Sequence, residues 1–535
     1  MTEKKTILIL GAGLMQGPAI KAAKELGYNA FVVDGNPDAA CVKDADFFEA
    51  IDLKDKDSLL TLAKKINKDN NLAAVFTAGT DFSANTAYVA NYFNFTGHSY
   101  SSCLNASDKC RMREAFKKNG VPSPEFIGFD NSSIDEILKN ADELSFPKVI
   151  KPVDNMGGRG CRMVRNKSEL KSSMENAVKF SRTSRGILED YMEGAEFSID
   201  SIVHKGTLTI TGFADRHIYY PPYFIETGHT LPSNYSQKIK NELIATFALG
   251  IKALGLTEGV AKADIKYTKN GPMIGEIAAR LSGGYMSGWT FPYASDCFLT
   301  KEALLISLGK ESEYLLKNRK SLEWQPHESV KENEQPFELF EIIPHKVSAE
   351  RAWLSIPGKI KKITGLDAAL KTDGVKDVLP RVKEGDEVDF PRNNVQKCGN
   401  VICVADDFET ASENARIAIS KITVELEQNN KKTEDFLLEK TFADEDKFPP
   451  SAFEFNVSNI EFADIPENKK AADFMPKEFN SILNEKDWNR ITLKECVSRF
   501  DELYPVHKKI DGKRFWKACL RASIQGMIYV ANQNQ

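Results

Sequence analysis

Lys151 closes a short apolar run, Pro147-Lys-Val-Ile-Lys151, and within a few residues the chain reads Gly157-Gly158-Arg-Gly160. An ammonium beside backbone N–H groups that glycine leaves free to turn is the pairing that wraps the oxygens of a polyphosphate. Taken alone, such a turn is more often an ordinary hairpin loop. Asp264 and Glu276 lie on two strand-like runs joined across Lys269-Asn-Gly271. Two carboxylates set side by side by a hairpin repel each other unless a cation lies between them, and hard oxygen ligands suit Mg²⁺ bridging phosphates. The alternative is that both face solvent, yet Glu276 sits within Pro-Met-Ile-Gly-Glu-Ile-Ala-Ala, where an uncompensated charge is costly. Arg280 follows, a planar cation able to fork onto phosphate or carboxylate.

The elements that position these groups follow from periodicity. Apolar runs at 6–10, 30–33 and 72–76 alternate with helical patterns, which predicts a parallel sheet wrapped by helices. Gly11-x-Gly13 after the first run, with Asp34 further on, approaches a dinucleotide fingerprint, but the third glycine falls at 17 and Gln16 stands in its place. It reads as a structural turn or a small-ligand cradle. From about 107 onward the pattern predicts a helix over 108–119, strands at 147–151, 186–191, 196–203 and 207–213, a long helix at about 236–254, and the 260–267/273–279 hairpin. Charged, sparsely apolar segments at about 310–335 and 426–449 read as linkers. Between them, glycines at 358, 365, 374, 385 and 399 punctuate a β-rich third domain. The last stretch, 450–535, is mostly helical in pattern, with Trp488, Phe500, Phe515 and Trp516 placed to bury a small core.

Composition narrows the class. With 535 residues, 42% of them hydrophobic, several cores can form. Lys plus Arg number 71 against 76 Asp plus Glu, and this mild negative balance gives no general reason to bind nucleic acid or anionic lipid. No run approaches the roughly 20 apolar residues of a membrane span, and no signal-peptide pattern opens the chain, so a cytoplasmic location is expected. Nine scattered cysteines, never spaced Cys-x-x-Cys, predict reduced thiols.

Taken together, Lys109, Lys151 with its glycine turn, Glu189-Asp-Tyr-Met-Glu-Gly-Ala-Glu196, and Asp264 with Glu276 and Arg280 resemble the ATP-grasp superfamily in order and spacing. The segment 336–425, with Ala349-Glu-Arg351, Pro357-Gly-Lys359 and Glu384-Gly-Asp386, is similar to the C-terminal domain of its biotin-carboxylase-like members. Pro221-Pro-Tyr223-Phe-Ile-Glu226-Thr-Gly-His229 resembles the corresponding stretch of ATP-dependent L-amino acid ligases.

The resemblance implies a multidomain α/β and α+β chain. Residues 1–106 would be a Rossmann-like domain, 107–310 the ATP-grasp domain with a lid at about 140–212, 336–425 a β-rich C-terminal domain, and 450–535 a helical extension without an assigned role. Lys109 and Lys151 would hold ATP phosphates under a lid formed by Gly157, Gly158 and Gly160. Glu189, Asp190, Tyr191 and Met192 would form the strand edge that hydrogen-bonds adenine, and Glu196 would take the ribose. Asp264 and Glu276 would ligate Mg²⁺, with Mn²⁺ as the alternative ion. Arg280 would steady the transferring phosphate or the substrate carboxylate, Glu226 a substrate ammonium, and His229 the acyl phosphate or the incoming amine. Many relatives carry Asn two residues after the second acid, where this chain has Ala278.

The implied activity joins a small-molecule carboxylate to an amine through an acyl phosphate, with release of ADP. Bicarbonate or purine-pathway carboxylation and a non-catalytic nucleotide-binding scaffold stay open beside it, as does assembly into a homodimer.

Overall fold

The computed structural model describes residues 4–69, 71–330, 334–438 and 448–533. Residues 1–3 of the charged start, and 331–333 and 439–447 of the two expected linkers, lie outside the described residues. The chain divides into two compact units: Met1–His217 with His229–Ser348, and Ile218–Gly228 with Ala349–Gln535.

The first unit opens on a four-stranded parallel sheet in the order Phe47–Ala50, Asn29–Asp34, Thr6–Leu10, Leu72–Thr77. Every residue of Thr6–Leu10 is buried. Ile7 and Ile9 enter one core cluster while Leu8 and Leu10 enter another, which is how a strand covered on both faces reads as an unbroken apolar run. The glycine turn after this strand encloses a side chain of the protein itself. Gln16 is buried and donates to the Ala78 carbonyl, and a Cβ added at Gly11 would lie 3.0 Å from Gln16 Cδ. Asp34 Oδ2 accepts the Ala12 N–H at 2.8 Å, so this acid closes the turn. Of the two readings of the motif, the structural turn is the one observed.

Two antiparallel sheets follow. The first has the order Phe126–Asp130, Arg185–Asp190, Lys148–Pro152, Arg162–Val164, with the helix Leu170–Phe180 packed on it. The second places Gly271–Ala278, Gly259–Thr268, Gly194–His204 and Thr207–Tyr219 side by side, covered by the helix Gln237–Leu254. Ser236 caps that helix through the Ile239 N–H, and Gly255 ends it at φ +75°.

In the second unit, Gly399–Ala405 pairs antiparallel with Val375–Pro380, and Gly358–Thr364 lies between Glu387–Val388 and Thr423–Leu426. The C-terminal stretch is helical mainly in its second half, at Leu493–Leu503 and Gly512–Asn532. A capping box of Thr492 and Glu495 starts the former, which buries Leu493, Cys496, Val497 and Phe500 at helical spacing. Phe500, Phe515 and Trp516 are buried as expected, and Trp488 joins them from a turn. All four share one core with Trp353, Phe390 and Val424, so the stretch has no separate core of its own. No helix among the described residues is long and apolar enough to cross a membrane, and all nine cysteines are free thiols.

Candidate active site

The helix Lys109–Lys118 starts at Asp108, whose side chain accepts the Cys110 and Arg111 N–H groups. Its first turn carries Lys109, and Arg113 stands one turn further on the same face. Both are buried. Lys109 Nζ donates to the Asn155 carbonyl at 3.1 Å and lies 3.5 Å from Glu276 Oε1. Burial alone would lower the Lys109 ammonium, but Glu276, Asp81 and Glu189 outweigh it and hold its pKa above the ordinary value.

Arg113 Nε reaches Glu189 Oε1 at 2.8 Å, and Lys151 Nζ reaches Glu189 Oε2 at 2.6 Å. Glu189 is 2% exposed. Burial would push its carboxyl up, and the two cations together hold it below its ordinary 4.5. Its backbone pairs with Phe126 on one side and Val149 on the other, so its side chain is the central counter-ion of a buried cation pair. The neighbouring residues expected to form an adenine edge are also tied in. Asp190 pairs with Lys148, Tyr191 donates its N–H to the Pro147 carbonyl at 3.3 Å, and the Met192 carbonyl accepts from Lys266 Nζ at 3.2 Å.

The hairpin brings Asp264 directly opposite Glu276 in antiparallel register, as the sequence predicts. Asp264 Oδ1 lies 2.8 Å from Arg216 Nη1 and is paired with Lys262 as well. Arg216 Nη1 also meets Glu196 Oε1 at 2.6 Å, and Lys266 Nζ meets Glu196 Oε2 at 3.1 Å. Glu196 and Asp264 therefore share one guanidinium. Among the described residues no group of three or more His, Cys, Asp or Glu side chains gathers as a metal cage. A facing pair of carboxylates fits Mg²⁺, which keeps water and phosphate oxygens as its remaining ligands.

Arg280 is held by Asp81, with Nη2 3.2 Å from Oδ1. Burial would lower its pKa, and Asp81, Glu276 and Asp264 raise it. Lys109, Glu276, Ala278 and Arg280 line a cavity of about 350 Å³, together with Asp81, Asp154, Lys54 and Arg182. Gly157, Gly158 and Gly160 form the turn after Lys151, all at positive φ (+68°, +74°, +71°). At Gly160 the requirement is steric as well: a Cβ would lie 2.8 Å from Phe180 Cβ and 2.9 Å from Pro152 Cγ.

Glu226 and His229 share the strand Ile225–Leu231 but fall in different units, Glu226 in the second and His229 in the first. Both are buried. The Glu226 N–H donates to Asn394 Oδ1 at 2.8 Å, Lys397 Nζ donates to the Glu226 carbonyl at 2.8 Å, and Lys397 Nζ lies 3.8 Å from Glu226 Oε1.

Several residues escaped the sequence reading. Asp81 lies four residues past the carboxyl end of the parallel strand Leu72–Thr77, where open α/β sheets place ligands, and that position was the available signal. Asp200 is fully buried, and burial lifts its carboxyl to about 6 against the Ser282 hydrogen bonds and Lys262. It accepts the Ser282 N–H at 3.3 Å and the Ser282 hydroxyl, which ties down the loop after Arg280. Glu196, Ser198 and Asp200 alternate along one strand and so share a face, a legible pattern. Arg113, one helical turn from Lys109, carried the same kind of signal.

Residues 106–284 match the ATP-grasp domain family, and residues 352–427 match the L-amino acid ligase C-terminal domain 2. The fold is similar to that of the L-amino acid ligase from Bacillus licheniformis, at 18% identity and TM-score 0.65 over 80% of this chain and 100% of that one. It is similar also to phosphoribosylglycinamide synthetase from Anaerococcus prevotii, at 22% identity and TM-score 0.58 over 79% of this chain and 100% of that one. A third is the biotin carboxylase domain of the Hydrogenobacter thermophilus 2-oxoglutarate carboxylase, solved with MgADP and bicarbonate, at 19% identity and TM-score 0.58 over 83% and 95%. At these identities the likeness is one of fold. The ATP-grasp likeness is carried by the central segment, residues 106–284.

Proposed function

We propose that the chain is an ATP- and Mg²⁺-dependent ligase that activates a carboxylate as an acyl phosphate for attack by an amine, with an amino acid as one substrate. The observation that carries this reading is the Asp264–Glu276 pair facing across the hairpin with the Lys109 ammonium 3.5 Å from Glu276. The amino-acid substrate is supported by the L-amino acid ligase C-terminal domain 2 at 352–427, and by a TM-score of 0.65 to an L-amino acid ligase against 0.58 to the biotin carboxylase domain.

Bound there, MgATP would supply the γ-phosphoryl group and the cation that make an electron-rich carboxylate open to attack. Lys109 and Lys151 hold phosphate oxygens, and Asp264 and Glu276 hold the metal. The backbone of 189–192 and the Glu196 carboxylate receive the base and ribose. The turn at Gly157, Gly158 and Gly160 closes over the phosphates and keeps water from the activated carbonyl. Arg280 orients the substrate carboxylate, with Asp81 as the counter-ion it holds before substrate arrives. Glu226 takes the ammonium of the amino acid, and His229 contacts the activated acyl group or the incoming amine.

The test is ADP release by the full chain with MgATP and a panel of amino acids, singly and in pairs, with hydroxylamine as a trapping amine. Amino-acid-dependent ADP release and hydroxamate formation are expected, with kcat/KM about 10²-fold lower or less in Glu276→Gln. ADP release that depends on bicarbonate and ignores amino acids would refute the reading in favour of carboxylation.

A further inference from the structure

The matched family segments end at residue 427, and the structural relatives cover 79–83% of the chain. Among the places that the stretch beyond them reaches is the segment around Tyr220. Tyr220 donates its hydroxyl hydrogen to the Trp488 carbonyl at 3.1 Å. Tyr223 stacks edge-on against Phe448 with centroids 4.7 Å apart, and Phe390 meets Phe448 at 5.6 Å and Trp488 at 5.1 Å. The Arg490 guanidinium lies 4.3 Å from the Tyr219 ring centroid. Phe448 and Trp488 are buried.

The contacts of Tyr219, Tyr220 and Tyr223 lie on the segment 218–228, which belongs to the second unit although both chain neighbours of that segment belong to the first. Aromatic edge-to-face pairs and a guanidinium over a ring are directional, so they fix the orientation of the segment and not merely its burial. The same segment carries Glu226, three residues after Tyr223.

We propose that the C-terminal extension is a positioning clamp on 218–228, and that through this segment Trp488 and Arg490 help determine which amino acid the enzyme accepts. The inference rests on the proposed function for its substrate, but the clamp itself is measurable without turnover. Hydrogen–deuterium exchange of the full chain should show 218–228 exchanging about five-fold faster in Arg490→Gln, the factor one partly exposed cation–π contact is worth. Exchange in Leu72–Thr77 should be unchanged. Arg490→Lys, which keeps a cation over Tyr219, should restore most of the protection. In turnover, Arg490→Gln should raise KM for the amino acid about five-fold while KM for ATP and kcat stay at wild-type values.

Unchanged exchange at 218–228 overturns the clamp. Faster exchange with an unchanged amino-acid KM, or with an equal rise in the ATP KM, overturns its part in specificity. If the wild-type chain releases no ADP with any amino acid, the functional reading falls and the clamp is judged on exchange alone. Phe448→Leu, which removes the edge-on contact to Tyr223, gives the second variant: faster exchange at 218–228 is expected, and unchanged exchange there also overturns the clamp.

Discussion

Replacing Glu189 by Gln tests whether Lys151, the lysine proposed to hold phosphate, is held by a buried counter-ion. In the wild type one carboxylate, 2% exposed, faces Arg113 Nε at 2.8 Å and Lys151 Nζ at 2.6 Å. The amide keeps the shape and removes the charge, which leaves two cations facing each other with no anion between them. Breaking a buried pair in this way costs about 3–5 kcal/mol. Arg113 Nη2 keeps its bond to the Gly275 carbonyl at 2.6 Å, which favours the lower end, about 3 kcal/mol. Native-state hydrogen exchange of the Ile187 and Leu188 amides at neutral pH reads this locally, without assuming that a two-unit chain unfolds in one step. The pH dependence supplies the sign. Glu189 is held below its ordinary 4.5, so its contribution is complete above that pH and is lost as the pH falls through the lower folded-state value. Acidification should therefore destabilise the wild type more than Glu189→Gln. A loss under about 1 kcal/mol, the level of an exposed ion pair, would refute the reasoning.

Two further outcomes are expected. Gly160→Ala should cost more than Gly27→Ala, because both positions are at positive φ (+71° and +85°) but only Gly160 also lacks room, with nothing within 4 Å of a Cβ at Gly27. The difference, about 1–2 kcal/mol, is read by urea unfolding, and equal losses would contradict it. Asp200→Asn should flatten the pH dependence of stability. A carboxyl raised to about 6 contributes most below about pH 3.9 and loses that contribution as the pH rises through 6, up to about 3 kcal/mol, so parallel wild-type and variant curves between pH 4 and 7 would rule this out.

The sequence made local relations visible and hid distant ones. The Asp264–Glu276 register was legible because a hairpin turn at Lys269-Asn-Gly271 fixes strand pairing within a few residues. The helix after Asp108 and the burial of Thr6–Leu10 were legible for the same reason, a cap and a period being short-range signals. The Glu189 side chain meets Arg113, 76 residues back in the chain, and nothing local announces that partner. The glycine turn at Gly11 was ambiguous until Gln16, pinned by the Ala78 carbonyl, filled it. The 450–535 stretch was legible as helix and aromatic burial but not in its partners, because the side of a helix that is apolar does not say which apolar surface it will meet.

The interruption of the first unit by Ile218–Gly228 bears on how the polypeptide matures. Its N-terminal parallel sheet is complete by Thr77 and can condense early in synthesis. The second unit needs Tyr220 and Tyr223 together with Met527 to Ala531 in a single hydrophobic interior, so it waits until synthesis has passed residue 531. Until then the waiting segment and the strands of 349–426 have apolar surface to hide, which makes the nascent chain a natural client for chaperones and a fragment that stops at 427 a candidate for aggregation.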